Sequence, residues 1–241
     1  IKGYKMLFNN FYTDNDLKFY SKTLLSRGWV ILPNFLSSNL VANLAEEAIL
    51  IKKDLELGIQ SNSITDEEGN FLVINSLFAK SEFLFDLSRD KEIMNVSEKL
   101  LSKSVIPIHC EYFCKPKLGA YPTPPHQDQI FYQSHFDDEM AITYWCPLTD
   151  INLGDGALEY AKTDNLMELL PHIESNARDF GMELKDSSEY TFEPVILRKG
   201  DCIVHHAYAI HRSGQKTTLP AREAFAFNYR SSSFRENMKG K

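Results

Sequence analysis

From about residue 104 onward the chain is built of short strand-like runs, at 105–113, 140–146, 157–161, 190–197, 201–206 and 223–230. The segments between them carry Gly, Pro, Asp and Asn. Several short strands in a row, preceded by helices, point to an antiparallel sandwich or jelly roll with helices on one face. The first hundred residues have the other period. Thr13 or Asp14 caps an expected helix carrying Leu17, Phe19, Tyr20, Leu24 and Leu25, which ends at Gly28. Trp29-Val30-Ile31-Leu32 is strand-like and is stopped by Pro33-Asn34. Ser37 or Ser38 opens a second helix through Leu40, Leu44, Ala48, Ile51 and Leu55. An exposed polar loop is expected over 58–70, and helices near 77–87 and 91–101. Residues 163–186 read as a helical insertion among the strands. No linker or repeat interrupts the chain, so 1–241 is read as one domain: a mostly helical support over 1–103 and a β core over 104–235.

Composition narrows the function. With 43% apolar and 24% charged residues over 241 positions, the chain can bury a core of its own. The net charge of −7 argues against a nucleic-acid partner, and no apolar run approaches the length of a membrane span. Cys110, Cys114, Cys146 and Cys202 fit neither a zinc-finger nor a thioredoxin spacing. They read as free thiols in a reducing cytoplasm. No basic segment followed by an apolar stretch opens the chain, which begins at Ile1 rather than Met and leaves upstream sequence an open matter. The Asn95-Val96-Ser97 sequon is read as coincidence.

All seven histidines fall in the strand-rich half, between His109 and His211. Two histidines and one carboxylate on one face of an octahedron leave three sites open, the ligand set of non-haem iron oxygenases. Side chains two apart on a strand point the same way, so His-x-Asp or His-x-Glu can share one ion. Three places match: His126/Asp128, His135/Asp137 and His172/Glu174. Context favours the first. His126 follows the rigid lead-in Thr123-Pro124-Pro125 and precedes Ile130-Phe131-Tyr132, whereas His135 lies among Asp137, Asp138 and Glu139. His211 is the favoured distal ligand. His205 and His206 compete for that role, but as neighbours on a strand they face opposite ways. A turn at 217–220 would set Arg222 on a strand next to His211, where a guanidinium can grip a carboxylate through two bonds. On the strand 109–113, His109, Glu111 and Phe113 share a face, so a His109 facing the metal brings Glu111 with it. Gln129, Tyr132 and Trp145 are candidates to line a substrate pocket.

The order of these pieces resembles the phytanoyl-CoA dioxygenase-like branch of the Fe(II)/2-oxoglutarate oxygenases, which includes ectoine hydroxylase. The resemblance runs along nearly the whole chain. It is carried by Gly28-Trp29-Val30-Ile31-Leu32-Pro33, Lys115-Pro116, His126-Gln127-Asp128, Trp145 to Asp150, Gly156-Ala157-Leu158, and His211 followed by Arg222. It implies a double-stranded β-helix, a cupin-like jelly roll with the N-terminal helices on one face. It implies Fe(II) on His126, Asp128 and His211, 2-oxoglutarate on Arg222 and Ser213 with a contact from His109, and O2 as the third reactant. A small-molecule substrate would be oxidised at a C–H bond, with succinate and CO2 as co-products. Because Asp128 is present, the resemblance implies a hydroxylase rather than a halogenase, in which that ligand is Ala or Gly. The inward Glu111 favours a polar, amine-bearing substrate. The alternatives are an acyl-CoA or fatty-acid hydroxylase of the same family, or a cupin-like domain that binds zinc or manganese without oxygenase activity. The family's Pro-Gly-Ser-His stretch is Ala161-Lys162-Thr163-Asp164 here, so its substrate contacts do not carry over.

Overall fold

The structure is a computed structural model that describes residues 7–9, 12–58, 63–132, 140–177 and 181–231. In chain order its elements are α1 (Asp14–Arg27), β1 (Trp29–Leu32), α2 (Ser38–Glu56), β2 (Ser63–Thr65), β3 (Phe71–Ile74), α3 (Glu82–Leu87), α4 (Lys91–Leu101), β4 (Val105–Lys115) and β5 (Thr123–His126). Then follow β6 (Ala141–Pro147), β7 (Leu158–Ala161), β8 (His172–Glu174), β9 (Met182–Leu184), β10 (Phe192–Pro194), β11 (Cys202–His206), β12 (His211–Ser213) and β13 (Arg222–Ser231). The helices start and stop where the caps stand. Thr13 and Asp16 form a reciprocal cap on α1, and Gly28 ends it at φ 87°, a left-handed conformation that suits a residue without Cβ. Ser37 caps α2 by accepting from the Leu40 N–H.

Seven antiparallel strands form the larger sheet, in the order β1-β11-β6-β13-β4-β3-β2. Four form the smaller, in the order β10-β7-β12-β5. Alternation along the central strands sorts residues between two cores. Tyr112, Tyr144, Phe225, Phe227 and Tyr229 face the helices and pack on Leu24, Leu40, Leu44 and Leu100. Their strand neighbours Phe113, Trp145, Ile203, Ala224 and Ala226 face the other way, toward Leu158 and Tyr160 of the smaller sheet. The chain is thus the expected jelly roll, with its N-terminal helices on one face of the larger sheet.

Three expectations are corrected. No helix forms among the described residues of 163–186, which instead carry the β8–β9 hairpin. Leu166 and Leu170 have helical spacing, but they pack with Ala161, Leu184 and Ile210, and Pro171 denies the segment a helical hydrogen bond. The side chain of Gln127 then captures the Leu170 N–H and the Glu168 carbonyl. The polar stretch 58–70 holds a strand, β2, which pairs with β3 and extends the larger sheet. Finally, β12 and β13 are not neighbours in one sheet. They belong to opposite sheets, so Arg222 lies across the barrel interior from the strand of His211. Among the described residues no helix is long and apolar enough to cross a membrane.

Candidate metal centre

The smaller sheet brings the two histidines together. In the β5–β12 ladder His126 and His211 are direct partners, and their ring centroids stand 4.1 Å apart. The chain leaves β5 into a short 3-10 turn, Asp128–Tyr132, which swings the Asp128 carboxylate back between them. Asp128 Oδ1 lies 3.5 Å from His126 Nε2 and 3.6 Å from His211 Nε2. One ligand atom from each residue fits within 4.8 Å of the others, and among the described residues this is the cluster able to hold a metal ion.

The rings are set for that use. His126 Nδ1 lies 2.9 Å from the Pro124 carbonyl and His211 Nδ1 lies 3.0 Å from the Ala209 carbonyl. A carbonyl only accepts, so both Nδ1 atoms carry the proton, and it is the Nε2 atoms that face Asp128 Oδ1 as the ligand atoms for a metal. Burial, followed by the neighbouring His126 and His205, pushes the His211 pKa well down, keeping it a neutral ligand. Burial opposes ionisation of Asp128, but His211, His126 and His205 together hold its pKa well below the usual carboxylate range. Two imidazoles and one carboxylate are a donor set that fits Fe(II).

The competing sites separate. His172 Nε2 accepts the Gln127 N–H at 3.2 Å while Glu174 is exposed, so that pair makes no site. His135 and Asp137 lie outside the described residues. His205 and His206 do face opposite ways. His205 enters the site, with Nε2 3.1 Å from Asp128 Oδ2, and His206 packs against Gly28 at the end of α1.

Arg222 is buried, its guanidinium carbon 5.2 Å from the centroid of the Trp145 ring. Its Nε has no hydrogen-bond partner. Beside it on β4, the buried Lys115 donates to the carbonyls of Tyr121 at 2.5 Å and Gly214 at 2.9 Å. The buried Lys216 donates to Thr218 at 2.7 Å and has Asp155 3.8 Å away. The concentration of cations shows in their acidities. Burial, then the charges of Arg222 and Lys216, brings the Lys115 pKa to about 7, and burial brings Arg222 to about 10. A glycine makes room for this packing. Gly156 has φ 72°, and a Cβ there would lie 2.6 Å from Lys115 Cδ. An interior with three such cations and an unpartnered guanidinium nitrogen fits an anionic group carried by a ligand.

A lysine pKa depressed in the folded state has a definite effect on stability. Its unfolded pKa stays near 10.5, so between about pH 7 and that value the unfolded chain binds more protons and stability rises with pH. The wild-type protein is therefore expected to gain thermal stability relative to Lys115→Met as the pH goes from 7 to 9. Parallel melting curves of the two proteins read this difference, and a pH-independent gap would refute it.

The other expected site residues spread around this interior. His109 and Glu111 do share the inward face of β4, 3.5 Å apart, and the hydrogen bond that His109 gives to the Glu111 carboxylate raises the His109 pKa. Ser213 Oγ donates to Thr123 Oγ1 at 2.8 Å. Gln129 is half-buried and its N–H donates to the Ala207 carbonyl. Tyr132 Oη meets Asn228 at 3.2 Å. Sequence reading missed Thr143, Tyr160 and Asn228. Each is a polar or hydroxyl-bearing residue in an otherwise apolar buried strand and on its inward face, which is the signal that identifies them.

Comparison with known proteins fits this geometry. Residues 25–224 match the family model described as phytanoyl-CoA dioxygenase (PhyH). A curated relative, phytanoyl-CoA dioxygenase domain-containing protein 1 of Danio rerio, is 25% identical over 182 residues. That alignment covers 68% of this chain and 62% of the relative's length. Among solved structures, the non-haem alpha-ketoglutarate-dependent epimerase SnoN from nogalamycin biosynthesis superposes with a TM-score of 0.70 at 21% identity, covering 90% of this chain and 84% of SnoN. EvdO2 from Micromonospora carbonacea var. aurantiaca, complexed with 2-oxoglutarate, gives 0.72 at 19% identity, covering 89% and 90%. EctD from S. alaskensis with bound Fe gives 0.71 at 16% identity, covering 94% and 82%. These likenesses extend the jelly roll to proteins that differ in reaction. With residues 25–224 matched and the His126, Asp128 and His211 cluster inside that span, the chain belongs to the phytanoyl-CoA dioxygenase (PhyH) family.

Proposed function

We propose that the protein is an Fe(II)/2-oxoglutarate-dependent oxygenase that oxidises an unactivated C–H bond, most simply by hydroxylation, of a small polar metabolite bearing an amine. The observation that carries this reading is the pairing of two features in one interior. In the triad Asp128 Oδ1 stands between two imidazoles whose Nδ1 atoms face main-chain carbonyls, and the buried Arg222 has an Nε without a partner. The first fits iron, and the second fits the distal carboxylate of a dicarboxylate cosubstrate.

His126, Asp128 and His211 would hold the iron, which supplies O2 activation when bound. The chain's own groups do the rest. Arg222 fixes the far end of 2-oxoglutarate, Ser213 is near enough along β12 to share that task, and His109 is a candidate contact from β4. Trp145, stacked under the guanidinium, excludes water from it. On the substrate side, Glu111 supplies the negative charge that an ammonium group would meet, and Gln129 and Tyr132 are the polar neighbours that would orient it. The four free cysteines are at home in a cytoplasmic, reducing setting.

The test is succinate release with Fe(II), 2-oxoglutarate and a panel of amines, amino acids, aminoglycosides and acyl-CoA thioesters. Stimulation by an amine is expected. Stimulation by the thioesters alone would favour the acyl-CoA reading, and no Fe(II)-dependent succinate at all would defeat the oxygenase assignment. With the amine substrate found, Glu111→Gln is expected to raise its KM about tenfold, the loss of a roughly 1.5 kcal/mol charge-assisted bond, while the KM for 2-oxoglutarate stays put. An unchanged substrate KM would remove Glu111 from the binding site.

A further inference from the structure

The two oxygens of Asp128 live in different surroundings. Oδ1 faces the Nε2 atoms of His126 and His211, at 3.5 Å and 3.6 Å. Oδ2 faces away, 3.1 Å from His205 Nε2 and 3.0 Å from Thr143 Oγ1. Both of those contacts are donors, and a residue stands behind each.

On one side stands Tyr160. Its Oη is 2.8 Å from His205 Nδ1, and burial keeps the phenol protonated by raising its pKa well above the usual value. The Asp128 carboxylate only accepts, so His205 carries its proton on Nε2, pointing at Oδ2, and its Nδ1 then accepts the Tyr160 O–H. Tyr160 is fixed in turn by stacking on Trp29, 5.0 Å between centroids, and on His211, 5.6 Å.

On the other side stands Asn228. Its amide oxygen lies 2.7 Å from Thr143 Oγ1 and 3.2 Å from Tyr132 Oη, while its buried nitrogen meets nothing. Thr143 has one proton and cannot donate it to both Asn228 and Asp128. Amide oxygen and nitrogen occupy nearly the same volume, so the arrangement that leaves the Thr143 proton for Asp128 is the one with the NH2 turned toward the two hydroxyls. Asn228 then donates to Thr143, and Thr143 donates to Asp128 Oδ2.

We propose that Tyr160–His205 and Asn228–Thr143 are paired positioning residues that hold Asp128 as a one-oxygen metal ligand, Oδ1 inward and Oδ2 pinned outward. The consequence is arithmetic. An octahedral ion bound by two imidazoles and one carboxylate oxygen keeps three sites, two for a chelating cosubstrate and one for O2. If both carboxylate oxygens bound, the cosubstrate would fill the last two and O2 would have none. The inference rests on the proposed oxygenase function.

Mn(II) serves as the probe, with water-proton relaxivity measured at saturating 2-oxoglutarate. The wild-type complex is expected to keep one exchangeable inner-sphere water, in the site O2 would take. Tyr160→Phe with Thr143→Val removes one hydroxyl from each arm at nearly constant shape, and is expected to lose that water's contribution to the relaxivity. Each single variant is expected to lose part of it, which keeps the test open should the double variant not fold. Folded variants that bind Mn(II) and show wild-type relaxivity would overturn the proposal while leaving the oxygenase reading intact. A wild-type protein whose Mn(II) relaxivity does not respond to 2-oxoglutarate would instead overturn the oxygenase reading on which the proposal stands.

Discussion

Asp128→Ala is expected to reduce Fe(II)-dependent succinate formation to background and to weaken metal binding by more than about 100-fold, beyond the upper end of what losing an outer-shell partner costs. The carboxylate is the single anion of the cluster, and it is the group that draws His126, His205 and His211 around one point. The fold should survive. His126 and His211 stay tied to the Pro124 and Ala209 carbonyls, and β5 and β12 stay paired through the ladder. The measurement is metal affinity by calorimetric titration beside a circular dichroism spectrum. A folded variant that binds Fe(II) with wild-type affinity would show that the ion sits elsewhere.

Arg222→Met should act with two opposite signs. Without cosubstrate, the buried guanidinium is a cost: its Nε is unpartnered and Lys115 and Lys216 lie near it. Replacing a buried, poorly compensated charge by an apolar side chain of similar length is commonly neutral or stabilising. The apo variant should therefore melt no lower than the wild type. With 2-oxoglutarate present the order should reverse. A ligand at 100 times its Kd stabilises by about 2.7 kcal/mol. For a chain of this size that is a rise in Tm of roughly 5–11 °C. The wild type should show such a shift and the variant none, together with a KM for 2-oxoglutarate raised by about 100-fold or more, as expected for a lost buried charge-assisted pair. Thermal melts with and without 2-oxoglutarate distinguish this from general damage. A variant destabilised in both conditions, with its ligand shift intact, would take Arg222 out of the cosubstrate site.

Much of the scaffold is legible in the chain because it is set locally. Thr13, Gly28 and Ser37 are capping residues whose side chains or backbone freedom act within a turn, and the helices end where they stand. The inward and outward faces of β4 follow from strict alternation, which is why His109, Glu111 and Phe113 could be grouped before any coordinates were at hand. The triad was reachable because a His-x-Asp pair and a distal histidine need only extended backbone and one crossing strand.

What failed depended on distant parts of the chain. Leu166 and Leu170 are spaced for a helix, but the hydrogen bonds that decide the matter come from Gln127, some forty residues earlier. The relation of Arg222 to His211 is one of sheet to sheet, and linear spacing gives no information about which sheet a strand joins. Tyr160 and Asn228 acquire meaning only through what lies opposite them, His205 and Thr143.

Gln127 stands between two of the candidate ligands, His126 and Asp128, and its side chain bonds elsewhere. Its amide gives hydrogen bonds to the Glu168 and Tyr208 carbonyls at 2.9 Å and 2.7 Å and accepts one from the Leu170 N–H at 2.8 Å. The middle letter of this His-x-Asp motif is therefore no spacer. A side chain there without both a donor and an acceptor would strand three main-chain groups in the interior, at about 1–3 kcal/mol each. A glutamate would repel two of them and a leucine would ignore all three. In this chain the grammar of the metal motif and the grammar of the fold are written in the same three residues, so neither can drift in sequence without the other.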